Sequence, residues 1–205
     1  LMSGILPSEL GQLRKIKNLD IRDYSIGSTE TVTRKQIPDS TIPSEYGLLK
    51  EWQYVVFRNN KLTGTLPSTL GKLNATEVIW IVNETLRGSI PSEIADMPNL
   101  KTISLNDNKI EGTIPSTIGQ APALTFMNLG GNELTGTIPP EQGDIENLTA
   151  LILADNHLSG PIPSEIGNLA TLKQLEFSDN QMSGSVPTEI GQIETLEKLV
   201  IGNNK

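Results

Sequence analysis

The sequence contains no cysteine and only one histidine, His157. Without thiols the chain can form no disulfide bond and offers no thiolate as a nucleophile or metal ligand. A single histidine also leaves too few side chains for the common metal sites and acid–base pairs. No residues match a Ser/His/Asp set or a phosphate-binding loop. We therefore expect no cofactor, no metal site and no enzymatic activity.

Positive charge and long apolar runs are also scarce. The 16 lysines and arginines face 24 aspartates and glutamates, which gives a formal net charge of -8 at pH 7. Nucleic-acid binding requires a basic stripe, so nucleic acid is not an expected partner. No stretch approaches the roughly 18 consecutive apolar residues of a membrane-spanning helix. No signal peptide is visible, but the chain starts abruptly at Leu1, as a mature or trimmed piece would.

Proline, glycine and asparagine are present in a regular pattern with a period of 24 residues. The prolines of this series are Pro43, Pro67, Pro91, Pro115, Pro139, Pro163 and Pro187. Glycines follow the same spacing from Gly64 to Gly184, and asparagines follow it at most repeats from Asn60 to Asn204. Self-similarity at a fixed period of this length predicts a solenoid, in which each repeat buries its apolar face against its neighbours.

The clearest unit is LKQLEFSDNQMSGSVPTEIGQI, residues 172–193. Leu175 and Phe177 alternate with polar residues, which is the period of a half-buried strand. Asn180 carries both a donor and an acceptor, so it can satisfy backbone groups where the chain turns.

This unit reads L-x-x-L-x-L-x-x-N-x-L-x-G-x-I-P-x-x-I-G-x-L, and here the chain resembles the plant-type leucine-rich repeat over essentially all 205 residues. The resemblance implies an α/β-type repeat solenoid with a concave parallel β-sheet and an irregular or 3-10 convex side. It also implies a recognition module like receptor ectodomains and secreted inhibitors, located outside the cell or at its surface. We expect one domain, 1–205, of about eight repeats.

Three features depart from the repeat. A 12-residue insertion lies within residues 24–40, and it is either a surface loop or a contributor to binding beside the concave face. Gln142 and Thr76 occupy positions that are otherwise apolar, which predicts locally loosened packing. The ends at Leu1 and Lys205 lie part-way through repeats and lack the cysteine-paired caps of secreted plant members. Two interpretations of these ends are open. Either the chain is a part of a longer, membrane-anchored protein, or its caps are minimal.

The run VIWIV, residues 78–82, has no polar residue on either face. The repeat register makes Ile79 and Ile81 the inward pair and puts Glu84 in the asparagine position. The outward residues are then Val78, Trp80 and Val82. A competing register would use Asn83 as the turn residue and place Trp80 inside, because a slip of one residue reverses the faces of a strand.

The outward residues predict a docking surface on the concave sheet. Exposed apolar patches usually mark interaction sites, and Trp, Tyr and Arg dominate binding hot spots. The expected partner is a protein, peptide or glycan, with enzyme inhibition as a variant. A homodimer through the patch and coverage by the insertion are alternatives. The predicted docking surface consists of Tyr54, Val56, Arg58, Val78, Trp80, Val82, Phe126 and Ile152.

Residues at the same position of successive repeats form a column along the solenoid. One such column lies at the end of each predicted strand and consists of Asp23, Asn59, Asn83, Asp107, Gly131, Asp155, Asp179 and Asn203. Asp155 and Asp179 would be neighbours, where two carboxylates can recruit a cation such as calcium. Alternatively, these side chains bond the local turn backbone, which Asp and Asn commonly do.

A second column carries hydroxyl groups at Thr41, Thr65, Ser89, Thr113, Thr137 and Ser185, interrupted by Pro161. Such a ladder can order water, and the family resemblance includes members that bind ice. Alternatively, strand propensity alone favours β-branched residues at these exposed positions. The column would then have only a structural role at the cell surface. Three sequons, at Asn74, Asn83 and Asn147, predict acceptor sites for N-glycosylation.

Overall fold

The structure, a computed structural model, describes residues 5–22 and 40–205. The predicted insertion within 24–40 therefore lies outside the described residues, apart from Ser40. Asp23 of the strand-end column lies outside them as well.

A short 3-10 helix begins directly after Pro7 and after each proline of the 24-residue series. The preceding proline supplies a φ angle between -60° and -74°, which its ring fixes before the helix starts. These helices stack along the convex side of the solenoid. Their bounds are η1 Ser8–Gln12, η2 Ser44–Leu48, η3 Ser68–Lys72, η4 Ser92–Asp96, η5 Ser116–Gln120, η6 Pro140–Asp144, η7 Ser164–Asn168 and η8 Thr188–Gln192.

The strands follow the same period. Their bounds are β1 Asn18–Arg22, β2 Tyr54–Arg58, β3 Val78–Val82, β4 Thr102–Ser104, β5 Glu111–Gly112, β6 Phe126–Asn128, β7 Glu133–Leu134, β8 Ala150–Ile152, β9 Ser159–Gly160, β10 Gln174–Glu176, β11 Gln181–Met182 and β12 Lys198–Val200. Eight of them form one parallel sheet in the order β1-β2-β3-β4-β6-β8-β10-β12. The pairs β5–β7 and β9–β11 form two small parallel ladders. The predicted solenoid with a concave parallel sheet and a 3-10 convex side is confirmed.

The asparagine column links each repeat to its neighbours from inside. The Asn108 Oδ1 accepts a hydrogen bond from the Leu86 backbone amide at 3.2 Å. Its Nδ2 donates to the carbonyl oxygens of Ile81 and Leu105, both at 2.9 Å. The same pattern recurs at Asn132, Asn156, Asn180 and Asn204. Each asparagine thus satisfies backbone groups that the turn would otherwise bury unpaired.

The two polar substitutions in the apolar columns are both fully buried. The Thr76 hydroxyl donates to the carbonyl oxygen of Trp52, so its polar group is satisfied. Within the described part of the chain, the Gln142 side chain has no hydrogen-bond partner at Nε2 or Oε1. It occupies the place held by Ile118 and Ile166 in the flanking helices, which are also buried. Neither side chain opens the core to solvent.

Replacing Gln142 by leucine should raise the free energy of unfolding by about 1–3 kcal/mol, because a buried amide without partners costs about that much. Urea denaturation of the two proteins measures the difference. Gln192→Leu is the matched control, because Gln192 holds an exposed helix position and should change stability by less than about 0.5 kcal/mol. A destabilised Gln142→Leu protein would show that the amide has partners in solution.

Among residues 5–22 and 40–205, no helix has the length and apolar character needed to cross a membrane.

Candidate functional site

The register of β3 determines which face of the VIWIV run reaches the concave surface. Ile79 and Ile81 are fully buried, whereas 46% of Trp80 is exposed. Trp80 pairs in register with Val56 on β2 and with Ser104 on β4. The predicted register is therefore the one the chain adopts, and the competing register with Trp80 inside is wrong.

The remaining residues of the predicted docking surface differ in exposure. Tyr54 is 41% exposed and Arg58 is exposed, whereas Val56, Val78, Phe126 and Ile152 are half-buried. Val82 was expected on the outward face and does pair with Arg58, but it is only 5% exposed. The longer side chain of Arg58 stands beside it on β2. Val82 therefore supports the surface from below and offers a partner little contact area.

Trp80 forms the wall between two depressions. On one side is a cleft of about 190 Å³ lined by Arg22, Val56, Arg58 and Trp80. On the other side is a wider hollow of about 470 Å³, which Arg58 and Phe126 also line. Its remaining lining is mostly polar and consists of Asn59, Val82, Asn83, Ser104, Asn106, Asp107 and Asn128. Ile152 lies one strand beyond Phe126 and does not line either depression.

Several residues that line these depressions were missed by the sequence reasoning. Arg22 lies beside Arg58 in the register of β1 and β2, and Asn106 and Asn128 hold outward positions further along the sheet. The 24-residue register could have found them, since each has the same offset from its turn as a predicted residue. Arg22 also pairs with Asp20 at 2.7 Å, and both groups are well exposed, so this ion pair contributes little stability.

The family described as Leucine Rich Repeat matches residues 52–73, 99–121, 123–144, 147–169 and 171–193, more than half of the chain. The chain belongs to the leucine-rich repeat family. No curated protein sequence matches it.

Solved structures show the same likeness. The ectodomain of the Arabidopsis thaliana receptor kinase GASSHO1/SCHENGEN3, in complex with CASPARIAN STRIP INTEGRITY FACTOR 2, is 31% identical with a TM-score of 0.90, over 98% of this chain and 23% of that chain. The Arabidopsis receptor kinase HAESA, in complex with the peptide hormone IDA and the co-receptor SERK1, is 30% identical with a TM-score of 0.89, over 98% and 32%. The chain thus spans a minor part of either receptor chain.

A plant ice-binding protein is 22% identical, with a TM-score of 0.70, over 99% of this chain and 69% of that chain. At that identity the likeness concerns the fold alone.

The strand-end column of this leucine-rich repeat protein has a backbone explanation. Its described members all have a positive φ angle, from 53° at Asn83 to 65° at Gly131. Asn, Asp and Gly are the residues that tolerate this left-handed conformation. Asp155 and Asp179 both have φ of 55°. Among the described residues, no group of three or more His, Cys, Asp and Glu side chains could hold a metal ion.

The hydroxyl column lies on a different side of the leucine-rich repeats, and all its members from Thr41 to Ser185 are exposed, as is Pro161. The methyl group of Thr113 lies against Gly136 of the next repeat, where a Cβ atom would approach it to 2.9 Å. Gly136 also has φ of 79°, so both space and conformation favour glycine there. Along this column each repeat therefore packs against the glycine of the next, while the hydroxyl-bearing side chains remain exposed to solvent.

The three sequons differ in their surroundings. Asn74, Asn83 and Asn147 are all exposed. Asn83 lines the hollow beside Trp80, and its Nδ2 donates to the Oδ1 of Asn59. A glycan on Asn83 would therefore crowd the docking surface, whereas Asn74 and Asn147 do not line it.

Proposed function

We propose that this leucine-rich repeat protein is a non-catalytic recognition module, outside the cell or at its surface, that binds an extended protein or peptide segment on its concave face. The carrying observation is the exposure of Trp80 and Tyr54 on neighbouring strands of the concave sheet. Leaving such apolar area in water costs about 25 cal/mol per Å², and a partner that covers it recovers this free energy. The receptor HAESA, whose structure contains a peptide hormone, supports the same use of the fold.

The charges around Trp80 define the chemistry of the partner. The chain carries a net charge of -8, yet Arg58 lines the cleft beside Trp80 together with Arg22, which is paired with Asp20. Electrostatic complementarity favours a segment with an acidic side chain for this cleft and an apolar side chain against the indole. A glycan, a target enzyme or a second copy of the chain are the competing occupants.

A display library of random linear peptides, selected on the wild-type protein, tests this function. We expect enriched peptides to combine an acidic and an apolar residue and to lose at least about 30-fold in affinity for Trp80→Ala, as expected for a hot-spot residue. Leu48→Ala is the matched control, because Leu48 is 48% exposed on the convex helix η2 and should leave binding unchanged. Peptides that bind wild type and Trp80→Ala equally would contradict the proposal.

Two other measurements address the competing occupants. A dimer in sedimentation experiments that Trp80→Ala dissociates would assign the surface to a second copy. Binding to a glycan array that depends on Trp80 would assign it to a saccharide. Either result, without peptide enrichment, would overturn the proposal.

Ice binding is the second candidate function, and the exposed hydroxyl column is the observation that favours it. A neighbouring column, two residues earlier in each repeat, carries Thr63 and Thr135 but also Arg87 and Glu111. The hydroxyl groups of that second column are therefore interrupted by charged side chains. Thermal hysteresis by the wild-type protein would support this function, and its absence would remove it.

A further inference from the structure

Glu84 is the one carboxylate in the column of buried asparagines, and only 5% of it is exposed. It performs the acceptor part of the task of that column, but a carboxylate cannot donate to carbonyl oxygens as the asparagine Nδ2 does. Its Oε2 accepts a hydrogen bond from the Leu62 backbone amide at 2.8 Å, as the Asn108 Oδ1 does from Leu86 at 3.2 Å. The substitution therefore keeps the link to the preceding repeat.

The second carboxylate oxygen gives Glu84 a task that the asparagines do not have. The Asn60 backbone amide donates to both oxygens, at 3.0 and 2.9 Å, and the Asn60 Nδ2 donates to Oε1 at 2.8 Å. In a later repeat the equivalent amide, that of Asn108, donates to the Gly131 carbonyl oxygen at 3.1 Å. Glu84 thus gathers the backbone amides of Asn60 and Leu62 and the side-chain amide of Asn60, and such a cluster of donors favours an anion.

The backbone of this turn is also unlike the others. Asn59 has φ of 59°, as its column requires, but Lys61 also has φ of 61°. Every other positive-φ residue in the described part of the chain is an Asn, an Asp or a glycine. Lys109 is the equivalent residue two repeats later, and it is not left-handed. A lysine in this conformation persists only where surrounding contacts hold it there.

We propose that Glu84 is a positioning residue for the docking surface. Its buried carboxylate holds residues 59–62 in a turn with two left-handed residues, and this turn fixes the backbone that carries Arg58 beside Trp80. The role of Glu84 in binding rests on the proposed function, whereas its control of the conformation of the turn does not. The first consequence is that the neutral and charged forms of Glu84 should hold the turn differently.

Protonation of Glu84 provides one readout. Burial raises the pKa of its carboxyl above the ordinary value of 4.5, and the hydrogen bonds from Leu62, Asn60 and Lys61 oppose part of that rise. The charged side chains on the flanking turns are Arg58, Lys61, Asp107 and Lys109, and all four are exposed to solvent. As pH rises through this pKa, the amide protons of residues 60–62 should move downfield in NMR spectra, because a carboxylate is a stronger acceptor than the acid. Glu84→Gln should remove this step, and its persistence would contradict the proposal.

A pair of glycine substitutions tests control of the turn without any ligand. Lys61→Gly should raise the melting temperature of the wild-type protein, since glycine adopts a positive φ without steric cost. Lys109→Gly is the matched control and should lower it, since there glycine only adds freedom to the unfolded chain. In a Glu84→Asn background, which restores the asparagine, Lys61→Gly should lower the melting temperature too. An increase in that background would show that Glu84 does not set the turn.

The effect on binding is measured with a peptide from the selection described above. Glu84→Asn should weaken its binding at least about tenfold while leaving the protein folded, and the change should match that of Arg58→Ala. If the selection yields no peptide, the proposed function fails while the glycine and NMR tests still decide the role of Glu84. Unchanged affinity in Glu84→Asn would overturn its role as a positioning residue.

Discussion

Replacing Trp52 by alanine should lower the free energy of unfolding by about 3–5 kcal/mol, whereas Trp80→Ala should lower it by clearly less. Trp52 is fully buried between Tyr46 and Phe57, with ring centroids at 5.8 and 6.2 Å in edge-to-face geometry. Its removal leaves a cavity that a repetitive core can close only in part. Trp80 is 46% exposed, so its removal leaves no comparable cavity.

Urea denaturation of the two variants measures this contrast, and binding should show the opposite order. Trp80→Ala should lose at least about 2 kcal/mol of binding free energy for a selected peptide, the threshold of a hot-spot residue. The chain thus supplies its own control, because the same substitution is made at a buried and at an exposed site. A Trp80→Ala protein destabilised by several kcal/mol would mean that Trp80 is a core residue and would remove it from the docking surface.

Replacing Gly167 by alanine should destabilise the protein by about 1–3 kcal/mol, the usual cost of forcing extra volume into a packed site. Gly167 lies where neighbouring 3-10 helices touch. A Cβ atom there would come within 2.7 Å of the Glu189 carbonyl oxygen and 2.6 Å of its Cβ atom. Backbone of the next repeat cannot retreat without disturbing the stack, so the strain spreads to η8.

Gly191→Ala is the matched control, because Gly191 holds the same position one repeat later and has no atom within 4 Å of a Cβ placed there. Its φ is not in the left-handed region, so alanine should stabilise this 205-residue chain by about 0.4–1 kcal/mol through the unfolded state. Chemical denaturation of both variants gives the two values. Equal effects would show that contact between stacked repeats is not the reason for glycine in this column.

The direction of each side chain could be predicted from the sequence. The 24-residue period determined that Ile79 and Ile81 face the core, that Trp80 faces the concave surface and that Glu84 replaces an asparagine. This succeeded because the strands and 3-10 helices recur in the same order in each repeat, so one well-defined unit fixes the register of the others. The strand alternation then assigns each residue to a face.

The sequence did not determine how much of each outward residue is exposed. Val82 and Trp80 share a strand face, but one is buried and the other projects, because exposure depends on the size of side chains in adjacent repeats. The cleft between Arg22 and Arg58 likewise forms only where β1 and β2 lie side by side, although an insertion separates them in the chain.

The sequence also did not determine the backbone conformation of the turn at residues 59–62. Nothing in the local sequence around Lys61 requires a left-handed conformation, and Lys109 at the equivalent position does not adopt one. The carboxylate that gathers the amides of this turn comes from Glu84, in the following repeat. The sequence by itself therefore determined the solenoid, its register and the face of each residue, since these follow from a period. Only the tertiary structure decided the depressions beside Trp80 and the shape of this turn, because both arise from contacts between different repeats.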